Sequence, residues 1–345
     1  MIDKLRMGPA CYHTFHVFPP MVAHEMNFFV DEGLVDRTGR PAYEIVPGGI
    51  SPFNAEKASL AQAMKEKGIH IAMDVKPSTV VYLNRRGAKL RIICGWRNQQ
   101  PTWIIGARDV PTLADARGRV VGLLDFGSIR YDALAFRLKE IGLDPQRDVR
   151  YVRGVRDAPG MLEAGEIDVA FVKPQRAHGL IENGFHKLLD MKDFYPEGRP
   201  DRIIVATDDL LNDRPDWVDA FIKGIIRSYW FIRTMPENLT YLQNLEKRMH
   251  LQSTDNEEFH SPSHSFSTPL DCELLPFPID GMPTGFDSYL REQVELGHIE
   301  QEDVDTLKES LRTELIRESF SDLSRQSERQ PELDRVQHVA ERVGY

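Results

Sequence analysis

The chain is poor in cysteine. Cys11, Cys94 and Cys272 are its only three among 345 residues. They are odd in number and widely spaced, so they form no disulfide framework. They fit a reducing compartment slightly better than an oxidising one. Positive charge is also short, with 43 Lys and Arg against 53 Asp and Glu and a net charge of −10. Nucleic acid is therefore excluded as a partner, because its recognition needs a basic face. An anionic small molecule is not excluded, since a local cleft can be basic on an acidic protein. No apolar run approaches the length of a membrane span, and no membrane-active amphipathic stretch occurs, so no direct membrane insertion is expected. The opening MIDKLRMGPACYHTFHVF lacks the apolar core and small-residue cleavage site of a secretory signal. A cytoplasmic location is favoured on that ground, with a periplasmic one if a signal was removed. A P-loop, a dinucleotide-binding glycine fingerprint, a zincin motif and a nucleophile elbow are all missing. No cofactor is expected.

What is present is an ordinary globular composition, 41% hydrophobic and 28% charged, on a chain long enough for two lobes. Strand-like and helix-like runs alternate, which predicts an α/β fold. The first strand is expected at Cys11–Phe18 and its helix at Pro20–Asp31. Strands follow at Tyr43–Val46, Ile69–Met73, Leu90–Trp96 and Thr102–Ala107. Asn54 caps a helix through Lys67, and Ser78 or Thr79 caps another through Arg86. A second series has strands at Val120–Leu124 and Val149–Val152, a helix at Ser128–Ile141, and a helix–strand unit over Met161–Phe171. Arg202–Thr207 reads as the returning strand. Helices are then expected at Trp217–Ile232, Phe286–Leu296 and Val304–Phe320, with a polar, proline-rich loop over His250–Pro283. These elements predict a discontinuous first lobe, 1–105 plus 204–320, with C-terminal helices. The second lobe is 106–203, and 321–345 is a charged peripheral tail. The strands Thr102–Ala107 and Arg202–Thr207 are expected to cross between the lobes.

Three segments carry a resemblance. Phe18–Leu34 reads FPPMVAHEMNFFVDEGL, with Asn27-Phe28-Phe29 and Glu32-Gly33-Leu34 in a helix-ending turn. Ala114–Gly122 reads ADARGRVVG, and Met161–Phe171 contains Ala164-Gly165-Glu166-Ile167-Asp168. In this order and spacing they resemble the periplasmic-binding-protein-like type II superfamily, in its sulfonate, nitrate and thiamine-precursor solute-binding group. The resemblance implies two α/β lobes with a ligand cleft between them and a helical C-terminal extension. It implies binding of a small organic anion, a carboxylate or sulfonate with aromatic ones included, by a homologue of ABC-transporter solute-binding proteins. An ABC permease is then a partner if the protein is exported. The alternative is a cytoplasmic enzyme on the same fold, a cofactor-independent lyase such as an aromatic-acid decarboxylase. The cysteine-rich motif of the related thiamine-pyrimidine synthases is absent. Thr14, not a cysteine, stands near the position of the related desulfinases' nucleophile.

Candidate ligand contacts sit at strand ends and helix starts, where such folds bind ligands. In the first loop, Tyr12 and Thr14 flank His13, and His16 follows. In the enzyme reading His13 or His16 is the acid–base group. Strand alternation sets these two on opposite faces and His24 lies on a helix, so no metal site is expected. Gly48 and Gly49 permit close backbone approach or simply make a turn. Ser78 and Thr79 offer hydroxyls beside a helix start, or only cap it. Arg97 suits a bidentate clamp on an anion or a salt bridge. Trp96 suits an aromatic wall or core packing. Gly127, Ser128 and Arg130 form an expected anion loop. Arg153 and Lys173 end strands on the same side, and each is otherwise a solvated surface residue.

Overall fold

Alternation sets the first strand. Leu5 and Met7 are fully buried while Arg6 between them is half-buried, and β1 is Leu5–Pro9. The structure is a computed structural model and describes residues 2–9, 14–46, 64–66, 68–98, 102–124, 126, 128–234, 239–252 and 281–326. The expected strand Cys11–Phe18 is corrected, because α1 runs Thr14–Glu25. Its buried residues Phe18, Val22 and Ala23 recur at helical, not strand, spacing. Pro19 and Pro20 lie inside α1. They carry no N–H, so the carbonyls of Phe15 and His16 get no bond from the helical ladder. Most of the helix expected from Asn54 to Lys67, and most of the 250–283 loop, lies outside the described residues.

The chain divides into two compact units. The first comprises Met1–Asn98, Arg202–Thr284 and Asp305–Tyr345, and the second Gln99–Asp201 and Gly285–Val304. The first unit's five-stranded sheet has the order β2-β1-β3-β10-β4. Here β2 is Tyr43–Ile45, β3 Ile71–Val75, β4 Leu90–Arg97 and β10 Arg202–Thr207. Strands β1, β2 and β3 are parallel, and β10 runs antiparallel between β3 and β4. The short helix α2 is Phe28–Asp31, and α3 is Pro77–Asn84.

The Asn27–Leu34 motif works by packing. Asn27 takes a left-handed conformation, φ 58, which turns the chain between α1 and α2. Phe29 is thereby fully buried and stacks on Phe221 at 5.6 Å and 10°. Phe221 lies on the long helix Pro215–Thr234. A β-carbon at Gly224 of that helix would stand 2.4 Å from Phe29 Cδ1, so only glycine admits the ring. Arg227, one turn on, donates from Nη1 to Glu32 at 2.9 Å and lies over the Phe28 ring.

The helix expected over Val304–Phe320 is two helices, Asp303–Glu309 and Thr313–Arg325. Leu311 makes a parallel bridge to Ile92. Ile92 N–H donates to Ser310 O at 2.7 Å, and Arg312 N–H donates to Ile92 O at 2.9 Å. Those sheet bonds replace a helical turn.

The second unit's sheet has the order β7-β6-β8-β5-β9. Its strands are β5 Trp103–Gly106, β6 Val120–Gly122, β7 Arg150–Val152, β8 Val169–Val172 and β9 His186–Asp190. Strands β6, β7 and β8 are parallel, while β5 is antiparallel to β8 and β9. The crossings expected near Thr102–Ala107 and Arg202–Thr207 do not run along the strands themselves. Strand β5 pairs on both sides within the second sheet, and β10 pairs on both sides within the first. The chain changes unit just before each strand, at Asn98 and at Asp201.

Helix Phe286–Glu295 belongs with the second unit, whereas the sequence reading puts 204–320 in the first. A buried ion pair holds it. Arg199 grips Glu292 with two nitrogens, Nε donating to Oε2 at 2.8 Å and Nη2 to Oε1. Tyr195 O–H donates to the same carboxylate at 2.5 Å. Burial opposes the Arg199 charge, but Glu292, Tyr195 and Asp132 outweigh it and raise its pKa well above the usual value. Gly285 opens the helix at φ +66, and a β-carbon there would collide with Gly198 O.

Two stability effects follow. Glu292→Ala removes one partner of a buried pair and should cost about 3–5 kcal/mol in urea unfolding. A loss under about 1 kcal/mol would show that the pair does not hold this helix. Gly224→Ala should lower stability by about 1–2 kcal/mol despite the better helix former, because overpacking against Phe29 outweighs propensity. A raised melting temperature would refute that reading.

Candidate functional site

Parallel strands end on one edge of a sheet, and helices start there. In the first unit this edge collects Asp74, Ser78 and Thr79 with Arg97 and Arg202. Strand β4 points the same way as β3, because both are antiparallel to β10. Arg97 and Arg202 are register partners. Arg97 Nη2 donates to Asp74 Oδ1 at 3.1 Å, and Arg202 Nε stands 3.8 Å from the same oxygen. Two guanidiniums therefore converge on one buried carboxylate. Asp74 has φ 63, a left-handed conformation that costs a non-glycine residue about 1 kcal/mol or more. The ion pairs hold it there.

Ser78 and Thr79 are buried in the first turn of α3 but are not its caps. The N-cap is Lys76, because Pro77 takes the first helical position, where its fixed φ and missing N–H cost nothing. Trp96 is fully buried, 6.0 Å from the Tyr229 ring. Core packing takes that side chain, and it presents no exposed wall. Asn98, next to Arg97, donates from Nδ2 to Met282 O at 2.7 Å and to Thr284 Oγ1 at 2.6 Å.

In the second unit Ser128, Arg130, Arg153 and Lys173 follow the carboxyl ends of the parallel strands β6, β7 and β8. Gly154 N–H donates to Leu124 O at 3.2 Å, so the ends of β7 and β6 are adjacent. Ser128 caps helix Ile129–Glu140, its hydroxyl accepting from Tyr131 N–H at 3.3 Å. Arg130 is half-buried in the first turn of that helix. Arg153 is exposed, with its guanidinium carbon 5.3 Å from the Phe126 ring centroid. Lys173 is exposed at the N-cap of helix Pro174–Glu182. Phe126 also meets Tyr131 and Tyr151 edge to face, at 5.1 and 5.3 Å. Burial raises the pKa of both phenols, so they stay neutral near physiological pH.

Tyr12, His13, Gly48, Gly49 and Gly127 lie outside the described residues, as do the side chains of Thr14 and His16. The backbones of Thr14 and His16 are helical, so strand alternation does not separate His16 from His13. His24 Nδ1 is 2.7 Å from Tyr43 Oη. Among the described residues no cluster of His, Cys, Asp and Glu has the makings of a metal site, and no helix is long and apolar enough to cross a membrane.

Sequence reading missed Arg202 and the aromatic trio. Phe126 directly precedes Gly127 in the expected anion loop. Arg202 carried no signal, because only strand register sets it opposite Arg97.

Two units, each with a mixed five-stranded sheet and parallel strands feeding helices, define the two-lobed solute-binding fold of the periplasmic-binding-protein-like type II class. The NMT1/THI5 like family model matches residues 14–239, more than half of the chain, and the protein belongs to that family. Among solved structures the chain is similar to a periplasmic sulfonate-binding protein, SsuA, of a Methylobacillus flagellatus KT ABC transporter. The TM-score is 0.61 at 12% identity, covering 95% of this chain and 97% of that one. It is similar to the periplasmic nitrate-binding protein NrtA from Synechocystis PCC 6803, with TM-score 0.55, 14% identity and coverage of 93% and 89%. It is also similar to the desulfurization enzyme DSZB, with TM-score 0.52, 12% identity and coverage of 93% and 99%. At these identities the likeness is one of fold. No curated protein matches the chain.

The Asp74 pairs are tested by Asp74→Asn. Asparagine tolerates the left-handed backbone but removes the charge, so the change isolates the ion pairs. Stability should fall by about 3 kcal/mol or more in chemical denaturation. An unchanged midpoint would show that Arg97 and Arg202 do not depend on this carboxylate.

Proposed function

We propose that the protein binds a small organic anion, a carboxylate or a sulfonate, as a solute-binding homologue of ABC-type uptake systems. One observation carries the reading. Arg130, Arg153 and Lys173 follow the carboxyl ends of three adjacent parallel strands, at or near a serine-capped helix start, on a protein of net charge −10. Such an edge offers positive charge and N–H donors to an anion even on a chain of negative net charge. In the first unit, Ser78, Thr79 and the Arg97–Asp74–Arg202 cluster occupy the equivalent edge. Family membership supports the reading, and so does similarity to proteins described as sulfonate- and nitrate-binding.

An ABC permease is the partner that goes with this function, and export is the compartment that goes with the partner. Nothing in the fold supports the cytoplasmic placement favoured from the start of the sequence. The enzyme alternative would rest on His13 and His16, whose side chains lie outside the described residues.

Calorimetric titration with a panel of alkyl and aryl sulfonates, carboxylates and nitrate tests the proposal. At least one anion should bind the unmodified protein, and Arg130→Ala should weaken it at least about tenfold. The loss of a desolvated charged contact typically costs about 2–5 kcal/mol. Binding of no anion would overturn the function. Undiminished binding by Arg130→Ala would remove that residue from the site. Release of a product from any panel member would favour the lyase.

A further inference from the structure

The described residues include four large apolar side chains with substantial exposure, and two of them are close neighbours at one place. Leu124 is 56% exposed and Phe126 37%; the others, Ile141 and Ile181, lie elsewhere. Leu124 and Phe126 stand at the end of β6, on the edge that carries Ser128, Arg130, Arg153 and Lys173. Burial normally claims a phenylalanine ring, and here the ring is instead held partly in solvent. Tyr131, from the helix after β6, and Tyr151, from β7, each meet it edge to face. They also meet each other, at 5.6 Å. The ring is thus buttressed by two neutral phenols from two different elements and does not depend on the loop alone. Arg153 supplies a cation 5.3 Å from its centroid.

We infer that this edge is an aryl-anion subsite, in which Phe126 receives the aromatic ring of the ligand and the adjacent basic side chains receive its carboxylate or sulfonate. This inference rests on the anion-binding function proposed above and narrows it to aromatic acids. The physical basis is complementarity of two kinds on one patch. Aromatic rings prefer edge-to-face or offset contact with another ring, and guanidinium groups favour ring faces. A saturated ring of the same size and charge satisfies the anion contacts and the burial, but not the ring–ring and guanidinium–ring contacts. Phe126 is accordingly a specificity-determining residue. Tyr131 and Tyr151 are positioning residues that act through it.

The test compares benzenesulfonate with cyclohexanesulfonate, matched in charge and nearly in size, by calorimetric titration of the full chain. The unmodified protein should bind benzenesulfonate at least about tenfold more tightly. In Phe126→Leu, which keeps apolar bulk, and in Phe126→Ala, the ratio of the two affinities should fall to about one. Circular dichroism and the melting temperature check that each variant is folded, and Phe126→Tyr should restore the preference. Equal affinities in the unmodified protein would overturn the inference while leaving anion binding in place. A preference that survives in folded Phe126→Leu would overturn it too. Binding of neither probe nor any other anion of the panel would overturn the function itself, and this inference with it.

Discussion

Parallel pairing is the constraint on which the rest of the molecule depends. A strand that runs parallel to its neighbour must return through a crossover, and its carboxyl end is left on the edge where helices begin. Both sheets obey this twice, in β2-β1-β3 and in β7-β6-β8. The chain thereby delivers residues far apart in sequence to one edge. In the second unit, Leu124, Arg153 and Lys173 arrive at the ends of β6, β7 and β8 for this reason alone. In the first unit the antiparallel strand β10 adds Arg202 at its amino end, opposite Arg97. The candidate contacts are consequences of topology before they are consequences of chemistry.

Charge is treated differently at the two edges. In the first unit Arg97 is buried and Arg202 half-buried, and both are turned on an internal carboxylate, Asp74, whose backbone is held left-handed. A buried charge needs such a partner, because desolvation otherwise exceeds any gain. In the second unit Arg153 and Lys173 remain exposed, and a charge left exposed carries no such desolvation cost. The deep ion pair of that unit, Arg199 with Glu292, does structural work. It carries helix Phe286–Glu295 into the second unit although most of the neighbouring sequence belongs to the first.

The motif that marks the family has a packing role. Asn27 turns the chain, Phe29 enters the space that Gly224 leaves, and Arg227 closes over Phe28 onto Glu32. A motif that docks a helix reports a fold strongly and a ligand weakly. That is why Phe18–Leu34 pointed to the architecture and left the cargo open. It also explains the error at the first strand. The apolar run around Phe18 reads equally as a strand or as a buried helix, and short apolar runs do not separate the two.

By itself, the sequence determined the α/β class, most of the element positions and the family, because hydrophobic period, caps and turn glycines are local properties. Strand Arg202–Thr207, the helix start at Ser128 and the loop that contains Phe126 were all legible in this way. Tertiary structure alone decided which of those loops meet, which arginine faces which carboxylate, and where helix Phe286–Glu295 belongs. Those outcomes depend on register and on burial. Neither is encoded in neighbouring residues, because each is settled only when distant strands pair and exclude water between them.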